Sequence, residues 1–391
     1  MRAFLVRWLI VHLTGWSIIA ALLAPLLPGG APVAAAIPIV TALPILELLR
    51  RFRAHGSARS YPGRAMRLLV MRPFWYGQLA GPLLGGAGAL GILLGLPFGE
   101  AGTGGRAAIA LVGAVLLALA LAGWLGSRRL RVKRLVASWP DLPAGLDGLR
   151  IAQLSDLHVG PHLPHSFLAR VRNAVDDARA DMVLVTGDLV DDFAPDVDVY
   201  ARWFGSIEAP LGVWISPGNH DVYAGWDDVR ARLDRLPVHV LVNESRTVRH
   251  GDTELAVVGL GDPAGRGWRR DGGADVAPAP ESAVAGIAAD AFTIALAHNP
   301  VLWPELARLG VRLTLSGHTH WGQLASPRRA WSLASHFLEH AMGTHATGAS
   351  LLYIHPGTGY WGIPFRLGAW PEVAIIELRR AGDAPVWREP A

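Results

Sequence analysis

Cysteine is absent from all 391 residues. That excludes a disulfide framework and a thiolate zinc site, and leaves no thiolate to compete as a soft ligand with nitrogen and oxygen donors. Acidic residues are nearly missing from the first third: residues 1 to 134 hold only Glu47 and Glu100 against 15 Lys+Arg, a balance of +13. Residues 135 to 391 reverse the sign, with 21 Arg against 30 acids, a balance of −9. The overall +4 therefore averages two opposite halves. A nucleic-acid binder carries basic surface on its recognition domain, so the acidic second half points away from a nucleic-acid partner. A twin-arginine export motif is also lacking, and no small-residue cleavage site follows the first apolar stretch, which argues against a cleaved signal peptide.

Charge is missing altogether from two long stretches, 73 to 98 and 107 to 126. Together with 8 to 27 and 33 to 49 they make four runs able to cross a hydrocarbon layer of about 30 Å, which takes roughly 20 helical residues. The second run is short and carries Pro38 and Pro44. Gly77-x-x-x-Gly81, Gly81-x-x-x-Gly85 and Gly91-x-x-x-Gly95 on the third suit close helix packing. Arginine alternates between the connections. The segment 50 to 72 has seven Arg and no acid, and Arg128-Arg129-Leu130-Arg131-Val132-Lys133-Arg134 follows the last run, whereas 28 to 32 and 99 to 106 carry almost no charge. The positive-inside rule then places the N-terminus, the 50 to 72 loop and the whole second half in the cytoplasm. The expectation is a multi-pass protein of a bacterial inner membrane, with a four-helix transmembrane region over 1 to 127. A basic, Pro-containing linker is expected over 128 to 148, because Trp139-Pro140-Asp141-Leu142-Pro143 cannot be helical throughout.

Short apolar runs at 149–155, 182–186, 212–216, 238–242, 254–259, 292–297, 311–315, 351–355 and 372–378 read as strands. Helix-like stretches at 166–179, 197–207, 226–235 and 301–309 lie between several of them. This alternation gives an α/β domain over 149 to 380, followed by a short tail over 381 to 391.

Polar motifs follow five of the strands: Asp156-Leu157-His158, Gly187-Asp188, Gly218-Asn219-His220-Asp221, Ala297-His298-Asn299-Pro300 and Gly317-His318-Thr319-His320. Ligands placed just past strand ends converge at one sheet edge. Two divalent ions about 3.5–4 Å apart need roughly eight such donors and a carboxylate to bridge them. Hard carboxylate and amide oxygens mixed with imidazoles suit manganese, iron or zinc, and the donors do not choose among these. His220, beside Asn219 and Asp221, can face a leaving group while Asp221 fixes its tautomer, which makes His220 and Asp221 the catalytic candidates.

On these motifs the chain resembles the calcineurin-like metallophosphoesterase superfamily. The closing pattern Gly357-Thr358-Gly359, Phe365-Arg366-Leu367 and Pro371-Glu372 looks like that of its membrane-tethered YkuE-type branch. The resemblance implies two mixed β-sheets packed as a sandwich flanked by helices. It also implies two divalent metal ions, one on Asp156, His158, Asp188 and His320, the other on Asp188, Asn219, His298 and His318. In this sequence Trp321 follows the last histidine where the branch has Gly, and 330 to 348 reads as an insertion. Trp321, Arg366 and His162 are candidate substrate contacts, with Tyr360 and Trp361 beside Trp321 as an acyl-binding rim; the alternatives are plain packing for the aromatics, a structural ion pair for Arg366 and a surface-loop histidine for His162. The segment 261 to 281 reads as a loop that covers the site or is simply disordered. The expected activity is hydrolysis of a phosphoester or pyrophosphate of a lipid-linked or membrane-derived substrate. A phosphodiesterase acting on soluble nucleotides, tethered by the spans, and a non-catalytic membrane sensor are the alternatives.

Overall fold

The structure, a computed structural model, describes residues 2–53, 61–267, 275–288 and 290–388. Arg59 of the basic loop and residues 268–274 of the expected covering loop lie outside them. The chain divides into two compact units, Met1–Ala122 and Gly123–Ala391.

The first unit is helical. It contains α1 (Arg2–Leu23), α2 (Gly30–Ala42), α3 (Pro44–Arg53), the single turn α4 (Arg64–Met66), α5 (Arg72–Gly95) and most of α6 (Ala101–Gly126). Among the described residues, four helical runs are long and apolar enough to cross a membrane: Val6–Leu26, Gly30–Glu47, Arg64–Phe98 and Ala101–Gly126. The glycine spacing does what it predicts. A Cβ on Gly85 would come within 2.6 Å of Gly15 Cα, and one on Gly91 within 2.4 Å of the Gly104 carbonyl, so α5 meets α1 and α6 backbone to backbone. His12 is the buried polar tie between helices, with Nδ1 3.0 Å from Gln78 Oε1 and Nε2 3.1 Å from Thr41 Oγ1.

The second unit is a sandwich of two mixed sheets. One sheet contains β1 (Arg131–Trp139), β2 (Arg150–Leu154), β3 (Met182–Thr186), β4 (Val213–Ser216) and β5 (His239–Val240). The other contains β6 (Glu244–His250), β7 (Thr253–Gly259), β8 (Phe292–Leu296) and β9 (Leu313–Ser316). A small hairpin, β10 (Ala325–Ser326) and β11 (Trp331–Ser332), precedes β12 (Gly343–Thr347), β13 (Ser350–Ile354), β14 (Glu372–Arg380) and β15 (Val386–Arg388). Strand order is β15-β1-β14-β2-β3-β4-β5 in the first sheet and β12-β13-β9-β8-β7-β6 in the second. Period-two alternation sorts the side chains. Met182 and Leu184 of β3 enter the core between the sheets with Ile151, Val257, Ile294 and Leu313, while Val183 and Val185 face the helical layer. That layer contains α7 (His165–Ala178), α8 (Val197–Phe204) and α9 (Asn219–Leu233), and α10 (Pro280–Val284) and α11 (Trp303–Arg308) belong to the segments around the second sheet.

The segment expected as a linker is a correction. Its residues 131–139 form β1, paired parallel with β14 along nine positions and antiparallel with β15 from the expected tail. Leu135, Ala137 and Trp139 alternate into the core, and the prolines that argued against a continuous helix come only after the strand ends. The expected insertion is ordered too, as the β10–β11 hairpin, a turn at Leu333–His336 and β12.

Candidate metal centre

Asp156, Asp188 and Asn219 follow β2, β3 and β4 of one sheet, and His298, His318 and His320 follow β8 and β9 of the other. The sandwich thus delivers ligands from both layers to one edge. Tight turns do the delivery: Asp156, His158, Asp188, His318 and His320 all have positive φ, between 45° and 68°. Left-handed backbone is unfavourable for such residues and persists only where the surroundings over-determine it, which is typical of ligand clamps. Glycine is required beside them. A Cβ on Gly218 would sit 2.3 Å from Asp188 Oδ1, and one on Gly317 2.2 Å from Asp156 Oδ2.

The seven predicted ligands converge as two groups. In the first, His158 Nε2 is 3.0 Å from His320 Nε2, and His320 Nε2 is 3.2 Å from Asp156 Oδ1. In the second, Asn219 Oδ1 lies 3.1 Å from His298 Nε2 and 2.8 Å from His318 Nδ1. Asp188 Oδ2 faces both, 3.2 Å from His298 Nε2 and 3.7 Å from His158 Nε2. Separations of roughly 3 Å are those of ligands held at right angles about 2.1 Å from one ion.

On His298 and His158, protons on the far nitrogens leave acceptors in the middle. His298 Nδ1 is 2.8 Å from the Thr186 carbonyl, which can only accept, so Nε2 of the neutral ring presents a lone pair to two oxygens. His158 Nδ1 lies 3.2 Å from Asp191 Oδ1, and the carboxylate there favours a proton on that nitrogen. Lone pairs of these two rings that converge with carboxylate and amide oxygens fit a cation. In the metal-free protein a proton can stand in. Burial disfavours charge on His298, but Asp188 and Asp156 outweigh it and raise its pKa well above the usual value. His318 is pushed down to about 4, first by burial and then by His298, and burial together with Arg366 holds His320 well below its usual value. Both are therefore neutral imidazoles, and because Nδ1 of His320 accepts from Arg366, the His320 proton sits on Nε2.

His220 adjoins this centre, its ring 4.7 Å from that of His158. Its Nδ1 is 2.6 Å from the Asp191 carbonyl. Asp221 does not fix its tautomer, contrary to expectation. Buried Asp221 accepts instead from the backbone N–H groups of Leu189, Val190 and Gly218, which ties the β3 and β4 loops together. Asp191 is the residue missed. It touches both histidines, and its sequence signal is a second carboxylate three positions after Asp188. Burial opposes its charge, but the hydrogen bond to His158 keeps its pKa below the usual carboxylate value.

The substrate candidates fare differently. Arg366 is fully buried. It donates to the carbonyls of His320, Pro356 and Gly359 and, at 2.7 Å, to His320 Nδ1, so it backs a ligand rather than facing a substrate. Trp321 is buried against Ala325 and Ala369, its indole N–H on the Ile354 carbonyl. It is core, not rim. Tyr360 is buried and donates to the carbonyl of half-buried His162. Trp361 alone of these aromatics is exposed, at 53%, with its ring 6.1 Å from His220.

Residues 149–322 match the profile of the calcineurin-like phosphoesterase family. The chain is 33% identical over 251 residues to a transmembrane protein with metallophosphoesterase domain from Danio rerio, covering 61% of this chain and 55% of that one. It is 34% identical over 231 residues to an uncharacterized metallophosphoesterase of Helicobacter pylori, covering 59% and 60%. With the uncharacterized metallophosphoesterase YkuE of Bacillus subtilis it shares 26% over 246 residues, 61% of this chain and 82% of that one. The match thus spans little more than half the length of the first two relatives.

Proposed function

We propose that this chain, whose residues 149–322 belong to the calcineurin-like phosphoesterase family, is a membrane-anchored binuclear metal phosphohydrolase. Its substrate is a lipid-linked or membrane-derived phosphoester or pyrophosphate. The observation that carries the reading is Asp188, whose Oδ2 faces a histidine of each ligand group. When bound, two divalent ions would polarise the phosphate oxygens and lower the pKa of an attacking water. The chain's own residues do the rest. Asp156, His158 and His320 hold one side, Asn219, His298 and His318 the other. His220 keeps one proton on Nδ1 against the Asp191 carbonyl, so a second proton on Nε2 is the one available to the leaving oxygen. Trp361 walls the approach to His220.

The alternating arginine segments support a cytoplasmic catalytic half in a bacterial inner membrane. Protease added to intact spheroplasts should leave residues 135–391 uncut, and cleavage there would overturn that placement.

The test of the centre is Asp188→Asn, which keeps shape and removes the shared charge. Metal content of purified protein should fall from about two ions toward one or none, with activity lost. Unchanged metal content and turnover would sink the reading. For the substrate, lipid phosphoesters should be turned over with higher kcat/KM than their deacylated headgroups. Equal rates would favour the tethered phosphodiesterase acting on soluble nucleotides.

A further inference from the structure

Large apolar side chains that face solvent in the catalytic unit are gathered, not scattered. Among the described residues from β1 onward, six are exposed, and three of them, Leu333, Phe337 and Leu338, lie within one six-residue stretch, with Phe337 81% exposed. The stretch is held in shape. Ser332 Oγ caps the turn by accepting from Ser335 N–H, and Ala334 is buried beneath it. Exposed Arg328 and Arg329 precede it.

Hydrogen bonds connect this turn to the end of the last candidate span. Leu333 N–H donates to the Leu324 carbonyl, Leu367 N–H donates to Gln323, Ala325 N–H donates to Leu367, and Arg366 N–H donates to the Gly123 carbonyl in α6. The continuous layer therefore runs from the apolar turn, past metal-centre residue His320, to the point where the chain leaves its span. That exit has the residues of a membrane interface: Arg128 stacks 3.5 Å over Trp124, and Arg131 lies 5.0 Å from Trp370.

We propose that the turn 328–338 is a membrane-docking face of the catalytic unit. Leu333, Phe337 and Leu338 enter the bilayer interface, and Arg328 and Arg329 rest on anionic headgroups. An apolar patch of this kind needs an occupant, and the bilayer is the one that the tether keeps always at hand. The paired arginines select its anionic lipids. The inference rests on the membrane-anchored reading above and gives it a substrate source, because docking here brings the ligand turn His320–Gln323 to the lipid surface.

The chain has no cysteine, so a single introduced one reports cleanly. Full-length Glu339→Cys, spin-labelled and reconstituted in phosphatidylcholine vesicles with phosphatidylglycerol, should collide more with oxygen and less with an aqueous nickel chelate than the same label at Asp252→Cys, an exposed turn elsewhere on the unit. Adding Leu333→Ser and Phe337→Ser should return the label at 339 to the behaviour of the control. A label at 339 as open to nickel as the control, or one shielded from both reagents as a protein partner would shield it, overturns the proposal. Equal depth without phosphatidylglycerol overturns the role of the arginines. Neither metal nor turnover enters this measurement, so its failure is distinct from a failure of the phosphohydrolase reading.

Discussion

The two sides of the proposed metal centre are built from similar residues but supported differently. On the side of His158 and His320, the nitrogen facing away from the centre meets a charged group, Asp191 in one case and Arg366 in the other. On the side of His298, the far nitrogen meets only the Thr186 carbonyl. Backbone support fixes a tautomer and little else. Charged support also sets how basic the ligand is, so the first side can be tuned by substitution without touching a ligand, and the second cannot.

His220 is attached to the charged side through Asp191, and its removal should have the largest effect. His220→Ala should lower kcat by roughly a hundredfold to ten-thousandfold with a poor leaving group. With a nitrophenyl ester, whose leaving oxygen needs no proton, the loss should nearly vanish. Equal losses with both esters would detach His220 from proton transfer.

Charge on the first side extends deeper, to Glu372, which accepts from the Tyr353 hydroxyl and whose N–H holds the Gly357 carbonyl behind His320. Burial pushes its pKa up to about 7 from an ordinary 4.5. The folded protein then holds more protons than the unfolded chain between these values. This group's contribution to stability is therefore complete below pH 4.5 and is lost as the pH rises through 7, by roughly 3 kcal/mol in all. Glu372→Gln keeps an acceptor for Tyr353 and cannot ionise. It should raise the Tm of the metal-free protein relative to wild type at pH 8 and leave it level at pH 4.5; a shift of equal size at both would contradict the assignment.

How much of this was legible beforehand follows from where each signal lies. Ligands past strand ends are read from local pattern, because apolar runs and the polar motifs after them are contiguous in sequence. Strand β1 was not, since its basic first half resembles a membrane-flanking run and its order comes from pairing with β14, more than two hundred residues away. Asp221 was misassigned, and the Asp191 carbonyl overlooked, for a similar reason. Adjacency to His220 pointed to Asp221, but the helical start at Asn219 turns the Asp221 side chain to the backbone of the neighbouring loops. Trp321 and Arg366 are the clearest failures. A polar or aromatic residue beside a motif looks like a substrate contact until burial is known, and burial is a property of the packed sandwich.

The smallest effect is the one that isolates the comparison. Arg366 can only donate, so Nδ1 of His320 accepts and the proton of the neutral ring sits on Nε2, pointing toward Asp156. Metal binding there must displace that proton, and the guanidinium offsets the negative charge the ring gains. Burial drives the Arg366 pKa down to about 9, which still leaves it charged at neutral pH. Arg366→Met should therefore weaken one metal by about 10–100-fold and leave the other unchanged, and Asp191→Asn should do the same through His158. Metal titration followed calorimetrically would resolve two affinities, of which only one moves. Arg366→Lys should recover part of the loss, because an ammonium supplies the charge without the fork that also reaches Pro356 and Gly359. If Arg366→Met weakens both metals equally, the guanidinium serves the fold of the whole edge, and the difference between the two sides is one of contacts, not of chemistry.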